Sequence, residues 1–163
     1  CSVRRQRQMC IRDRWRIGYI CCPNPETVGQ IIKMQYYITA CSNDAMQYAV
    51  LTAFDEASSY PEEMAKEFQA RRDLICERLN AMPGVSCHVP KGAFYVFPKM
   101  EVPGMTSEEL AIELLHGGVL ASPGSAFGES GEGHIRFAYT IARDDISAGM
   151  DKVEAVLRRL RGE

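Results

Sequence analysis

The sequence contains no apolar run long enough to cross a membrane and no strong excess of either charge. Its 163 residues include 19 basic and 21 acidic side chains, which give a formal net charge of −2. A membrane-spanning helix needs roughly 20 apolar residues in succession, and binders of nucleic acid or anionic membranes usually carry a basic excess. We therefore expect neither nucleic acid nor a membrane among the partners. With 46% hydrophobic residues, the composition predicts an ordinary globular protein.

Regularly spaced metal-binding or disulfide-forming residues are also lacking. The seven cysteines have no regular spacing and no Cys-x-x-Cys pair, and the three histidines lie at no metal-ligand spacing. This pattern predicts neither a disulfide framework nor a metal site. Cys21, Cys76 and Cys87 fall within apolar patterns, where we expect small buried thiols in a reducing cytoplasm.

Acidic residues are scarce at the start of the chain, where residues 1–16 hold six arginines and one aspartate. A secretory signal would need an apolar segment behind the basic residues, and none is present. Residues 1–14 resemble translated sequencing-adapter DNA, and we expect them to be a non-native segment. A genuine basic tail is the alternative.

The following part of the chain alternates between strand and helix patterns. The apolar run 17–22 predicts a buried strand. Asn24 as N-cap and Pro25 as first helical residue then predict a helix to about residue 38. Asn43 can cap a second helix, in which apolar residues recur at spacings of three and four.

The second half begins with a long predicted helix and then changes to shorter elements. The helix is predicted over 61–82, because apolar residues recur there at helical spacing until a Pro-Gly pair ends the pattern. Strands are predicted over 85–89, 93–97, 119–121 and 135–139. The first two of these flank a hairpin-like connection. Thr106 and Glu109 form a capping-box pattern for one helix, and Asp144 is available to cap the last.

Three motifs taken together carry a family resemblance. They are WRIGY at 15–19, KGAFYVFP at 91–98, and PGSAFG at 123–128 followed by GHIRF at 133–137. In this order and spacing they resemble the pyridoxal-phosphate-dependent class I/II aminotransferases of fold type I. Each motif alone is weak, but three in order form a specific pattern that extends over about nine tenths of the chain.

The resemblance implies an α/β fragment of the fold type I architecture. Residues 15–60 correspond to the end of the large, cofactor-binding domain, and residues 61–82 to the long interdomain helix. Residues 83–163 correspond to the small α+β C-terminal domain. We therefore expect the chain to be the C-terminal portion of such an enzyme.

Arg16 is the candidate cofactor-binding residue. It stands at the mouth of a predicted apolar strand, where a guanidinium can bind a dianionic phosphate through two hydrogen bonds. The resemblance implies that it holds the phosphate of pyridoxal phosphate. A solvated arginine at the end of a strand is the alternative.

Arg136 is the candidate substrate-binding residue. It lies within an apolar strand pattern, and a long cation flanked by apolar residues needs an anionic partner. The resemblance implies that the partner is the substrate's α-carboxylate, while an ion pair with Glu129 or Glu132 is the alternative. We interpret the glycine-rich segment 124–133 as a turn-forming loop that delivers Arg136. Four further residues could shape a substrate pocket or only pack the small domain: Gly92, Phe94, Tyr95 and Tyr139.

The lysine on which the family's catalysis depends is missing. In the family this lysine forms a Schiff base with the cofactor and lies eight residues before the Arg16 position, where this sequence has Gln8. None of the five lysines aligns with it. We therefore assign no catalytic residue and expect the fragment alone to be inactive, with truncation a better explanation than evolutionary loss.

The activity implied by the resemblance is transfer of an amino group from an amino acid to a 2-oxo acid through pyridoxal phosphate. We expect the complete enzyme to be a cytoplasmic homodimer. Two alternatives stay open, a pyridoxal-phosphate-dependent lyase on the same fold and the aminotransferase-like effector domain of a transcription regulator. Residues upstream of this chain would distinguish them.

Overall fold

The structure, a computed structural model, describes residues 17–56 and 59–162. The chain divides into two compact units, Cys1–Met64 and Ala65–Glu163, and each is considered by itself. The predictions for residues 1–14, Gln8 and Arg16 lie outside the described residues. Within the described ranges, every helix is too short or too polar to span a bilayer.

In the described residues of the first unit, two complete helices begin at the predicted caps. Helix α1 spans Pro25–Thr39, and the Asn24 side chain accepts a hydrogen bond from the Glu26 backbone nitrogen at 2.9 Å. Helix α2 spans Asp44–Glu56, and the Asn43 side chain accepts from a backbone nitrogen of its first turn at 3.4 Å. Both caps are therefore confirmed, because each side chain satisfies a backbone donor that the helix leaves unpaired.

The predicted strand over 17–22 is wrong. This segment is irregular, and both Ile20 and Cys21 are exposed. A strand needs the backbone groups of a neighbouring strand as hydrogen-bond partners, and the described residues of the first unit contain no other strand. The apolar run alone could not supply that partner, and the expectation of a buried Cys21 fails with it.

Helix α3 spans Tyr60–Ala81, which confirms the long helix predicted over 61–82. In the second unit its buried side chains include Phe68, Ile75 and Leu79. These positions are separated by seven and four residues, so they share one face of the helix. The helix stops at the Pro-Gly pair, where Gly84 adopts a positive φ of 67°.

In the described part of the second unit, five short strands form two antiparallel sheets. Strands β1 (Val85–Ser86) and β3 (Lys99–Met100) pair with each other. Strands β2 (Tyr95–Val96), β4 (Ser122–Pro123) and β5 (Ile135–Ala138) form a three-stranded sheet in the order β2-β5-β4. The fourth predicted strand is confirmed in β5, whereas the one predicted over 119–121 forms slightly later, in β4.

The hairpin predicted from strands 85–89 and 93–97 is wrong, because β1 and β2 pair with different partners in different sheets. The chain leaves β1 after Ser86, where the Asn80 side chain binds the backbone of Cys87. Asn80 Nδ2 donates to the Cys87 carbonyl at 3.0 Å, and the Cys87 amide donates to Asn80 Oδ1 at 2.8 Å. Because both backbone groups of Cys87 are taken by a side chain, they cannot extend the strand.

Two helices complete the second unit. Helix α4 spans Ser107–His116 and begins with the predicted capping box of Thr106 and Glu109. Helix α5 spans Arg143–Arg161, but Asp144 does not cap it: the N-cap is Ala142, which makes no side-chain hydrogen bond. Asp144 lies in the first turn, where an acidic side chain favours the helix through its dipole. The core contains apolar side chains from both helices, α3 and β5.

The second unit buries two thiols together, as predicted for Cys76 and Cys87. Their sulfur atoms lie 3.9 Å apart, and burial raises the pKa of the Cys87 thiol to about 12 and also raises that of Cys76. Since the thiolate is the reactive form, we expect iodoacetamide at pH 8 to modify exposed Cys21 and Cys41 well before these two. Peptide mass mapping over time measures this order. Equal labelling of all four in the native chain would contradict the buried placement.

Candidate functional site

The candidate site lies on the outer face of the three-stranded sheet. In β5, Ile135 and Phe137 are buried, so the intervening Arg136 points to the opposite side. The register places Ser122 directly opposite Arg136 and Tyr95 opposite Ala138. We define the outer face by the side chains that this register places on Arg136's side of the sheet: Tyr95, Phe97, Ser122, His134 and Arg136.

Arg136 is held by two aromatic rings and one hydroxyl group. Its guanidinium carbon lies 4.6 Å from the ring centroid of Tyr95 and 4.5 Å from that of Phe127. Its Nη2 atom donates a hydrogen bond to Ser122 Oγ at 3.1 Å. A guanidinium carries five N–H donors in a fixed plane, so one conventional hydrogen bond leaves most of them for a ligand.

The ion pair considered as the alternative role for Arg136 does not form. In the described part of the chain, no carboxylate lies within salt-bridge distance of its guanidinium. Glu132 is used elsewhere, because it accepts hydrogen bonds from the Ser107 backbone nitrogen at 2.6 Å and from Ser107 Oγ at 3.0 Å. The backbone hydrogen bond from Ser107 lowers the pKa of Glu132 and keeps it ionised at the start of α4.

The glycine-rich segment forms the turn-forming loop that was predicted. It contains two 3₁₀ turns, Gly124–Phe127 and Glu129–Gly131. The turns cross so closely that a Cβ atom on Gly124 would lie 1.9 Å from the Gly131 carbonyl oxygen, and one on Gly131 would lie 2.0 Å from the Gly124 oxygen. Only glycine permits this approach. The crossing fixes the first turn, which ends at Phe127 beside Arg136.

Sequence reasoning named Tyr95 as a possible pocket residue but missed Phe97, Phe127 and His134, the other rings near Arg136. Phe97 stacks on His134 with a centroid distance of 5.0 Å and an interplanar angle of 13°, and it meets the edge of Phe127 at 5.9 Å. The signal that could have found Phe97 and His134 is the period of two, which places 95 and 97, and 134 and 136, on common faces. Phe127 gives no such signal, because it lies in a turn.

Tyr139 packs in the core, whereas Phe94 contacts both the core and the outer face. The Tyr139 side chain is 1% exposed, and its hydroxyl donates to the Ala93 carbonyl at 2.9 Å. The ring centroid of Phe94 lies 6.4 Å from that of Phe68 and 4.5 Å from that of Tyr95. Of these three residues, Tyr95 is the one whose ring contacts Arg136 directly.

The described residues fit a carboxylate ligand but do not by themselves fit pyridoxal phosphate, the cofactor that the sequence resemblance implies. The lysine that the register places beside the outer face is Lys99, and its amino group pairs with the Glu101 carboxylate at 2.9 Å. Pyridoxal phosphate needs a lysine amino group and a phosphate site in addition to a carboxylate site. The described residues contain no group of three or more potential metal ligands.

Comparison with known proteins places these features in a family. Residues 13–153 match the family described as "Aminotransferase class I and II". The chain is 40% identical over 147 residues to the aspartate aminotransferase of Pyrococcus abyssi, covering 88% of this chain and 37% of that protein. It is 37% identical over 147 residues to aromatic-amino-acid aminotransferase 2 of Thermococcus litoralis, with the same two coverages.

Solved structures agree with these relatives. The aromatic aminotransferase from Pyrococcus horikoshii superposes with a TM-score of 0.80 at 36% identity, covering 91% of this chain and 40% of that one. The aspartate aminotransferase from Thermus thermophilus with maleate superposes with a TM-score of 0.78 at 30% identity, covering 89% and 38%. The chain thus spans less than half the length of the proteins it matches. The family match, the relatives and the shared fold show that this chain belongs to the class I and II aminotransferases, the pyridoxal-phosphate-dependent enzymes of fold type I.

Proposed function

We propose that this chain is the C-terminal part of an aminotransferase and that Arg136 binds the α-carboxylate of its substrates. The enzyme moves an amino group from an amino acid to a 2-oxo acid with pyridoxal phosphate as cofactor. The observation that carries this proposal is the Arg136 guanidinium, which is held by two rings and a hydroxyl and has no carboxylate partner among the described residues.

The carboxylate is the group that the two substrate classes share, so one arginine can serve both. An arginine fork can donate two parallel hydrogen bonds to a carboxylate, which fixes the orientation of the carbon that bears the amino or oxo group. Partial burial of Arg136 on the sheet strengthens those hydrogen bonds relative to bulk water. The maleate in the Thermus thermophilus structure is a dicarboxylate, and this supports a carboxylate site in the family.

On this proposal the cofactor site belongs largely to a portion of the complete enzyme that precedes the residues of this chain. We propose that Arg16 contributes a phosphate contact and that the lysine partner of the cofactor is absent from this sequence, as the Gln8 position indicates. On this proposal residues 15–60 end the large domain, 61–82 link it to the small domain, and 83–163 form that small domain. This chain alone then has no transaminase activity.

We further propose that the complete enzyme is a cytoplasmic homodimer without nucleic-acid or membrane partners. Helix α1 has exposed apolar side chains, such as Tyr37 with 88% of its surface exposed. This exposure supports the proposal that another part of the enzyme, or a second copy, covers the helix. The free thiols among the described cysteines support a reducing compartment. The near-neutral charge supports the absence of a nucleic-acid partner.

The experiment compares this chain with the extended enzyme, meaning this chain preceded by the portion that its relatives have upstream. Each protein is incubated with pyridoxal phosphate, reduced with borohydride and mapped by mass spectrometry, and amino-group transfer to 2-oxo acids is assayed in parallel. We expect one labelled lysine and transfer activity in the extended enzyme, and neither in this chain.

Three results would contradict the proposal. Stoichiometric labelling of one lysine in this chain, with turnover, would show that it holds its own catalytic lysine. Ammonia release by the extended enzyme without amino transfer would indicate a lyase. Specific DNA binding by the extended protein without any turnover would indicate a regulator.

A further inference from the structure

We infer that Phe127 is a positioning residue for Arg136, and that Phe97, stacked on His134, holds Phe127 in place. The inference rests on the proposed function, because it concerns the carboxylate site on the outer face. It assigns a role to exposed rings that lie outside the core of the second unit. The rings restrict the conformations that the Arg136 guanidinium can adopt.

Phe127 restricts Arg136 directly. The guanidinium carbon lies 4.5 Å from the Phe127 ring and 4.6 Å from the Tyr95 ring, so two rings from separate segments limit the same side chain. A free arginine loses considerable rotamer entropy when it binds a ligand. Contacts with rings reduce that loss, and they do so without an acceptor oxygen that would compete with a carboxylate.

Phe97 acts on Arg136 through Phe127. It meets Phe127 edge to face, with 5.9 Å between centroids and 88° between planes, whereas Arg136 has its ring contacts with Tyr95 and Phe127. Phe97 is in turn stacked on His134, and the His134 ring nitrogen Nδ1 lies 3.0 Å from the Glu132 carbonyl oxygen. A series of contacts therefore runs from the loop backbone through two rings to Phe127.

These rings lie on the solvent side of the sheet. Substituting them can therefore change the position of Arg136 without unfolding the chain. Phe97 is 40% exposed and Phe127 is 52% exposed, whereas the core lies on the opposite face beneath Ile135 and Phe137. Half-exposed side chains contribute much less to stability than fully buried ones. A leucine at either position should leave the fold intact while removing the ring contacts.

The test uses the isotopically labelled chain and nuclear magnetic resonance of the Arg136 Nε–Hε group. Two quantities are measured: the order parameter of that group, and the dissociation constant for pyruvate, a 2-oxo acid, from a titration. The variants are Phe127→Leu and Phe97→Leu, each paired with its ring-retaining counterpart, Phe127→Tyr or Phe97→Tyr. Leu120→Ala serves as a surface control, because Leu120 is 84% exposed and makes none of these ring contacts.

We expect both leucine variants to lower the order parameter toward that of a flexible side chain and to weaken pyruvate binding about twofold to fivefold. The tyrosine variants and the Leu120 control should match the wild type. An unchanged order parameter in both leucine variants would overturn the inference, whatever the titration gives. The Arg136→Leu chain is titrated with pyruvate as well. Unchanged binding in that variant would contradict the proposed function instead, so the two failures are distinguishable.

Discussion

Replacing Arg136 with leucine in the extended enzyme should lower kcat/KM for amino acids by several tens-fold or more. The change removes charge-assisted hydrogen bonds to the carboxylate, each worth on the order of 1.5–3 kcal/mol. Because the guanidinium forms no ion pair among the described residues, its removal leaves no internal carboxylate without a partner. The variant should therefore have a lower kcat/KM but an unchanged free energy of unfolding. Steady-state kinetics measures the first quantity and urea unfolding measures the second.

Arg16→Leu is the matched control for this prediction. Its proposed partner is the cofactor phosphate, so this variant should lose cofactor retention first, whereas Arg136→Leu should retain the cofactor as the wild type does. Equilibrium dialysis against pyridoxal phosphate measures retention. If Arg136→Leu unfolds the small domain while the surviving protein keeps its rate, Arg136 has a structural role.

Adding a methyl group at Gly131 should destabilise the second unit and weaken carboxylate binding together. A Cβ atom there would lie 2.0 Å from the Gly124 carbonyl oxygen, which is backbone and cannot rotate away. The two 3₁₀ turns must separate, at a cost of about 2 kcal/mol or more. That movement also displaces Phe127 from Arg136. Urea unfolding and the pyruvate titration of the Gly131→Ala chain measure the two effects.

Gly149→Ala is the control for this substitution. Gly149 lies within α5, nothing stands within 4 Å of an added Cβ atom, and its φ is ordinary for a helix. Alanine should there raise stability by about 0.5–1 kcal/mol, because it favours the helix more than glycine does. Equal stability of the Gly131 and Gly149 variants would show that the close crossing of the loop is not a constraint.

The helices could be predicted from the sequence because their determinants are local. Asn24 lies next to the turn that it caps, and Thr106 and Glu109 are three residues apart. In the last helix the apolar period identified the element, although Asp144 was assigned the wrong position within it. Signals of this kind need no knowledge of the remaining chain.

The strands were harder because pairing is not local. β1 and β2 each resemble half of a hairpin, yet the Asn80 side chain ends β1 and a segment about forty residues downstream pairs with β2. Non-local pairing also explains why only part of the candidate site could be predicted. The motif around Arg136 could be recognised in the sequence, but the contribution of Phe97 and Phe127 depends on a register and a loop crossing that the pattern does not contain.

The most direct test of the account is the ratio of kcat/KM for an amino acid to kcat/KM for the corresponding amine, which lacks the carboxylate. The ratio is measured in the extended enzyme and in its Arg136→Leu variant. We predict a strong preference for the amino acid in the wild type and its near disappearance in the variant, with the rate for the amine little changed. A preference that survives the substitution, or equal losses for both compounds, would contradict the assignment of Arg136 as the residue that binds the substrate carboxylate.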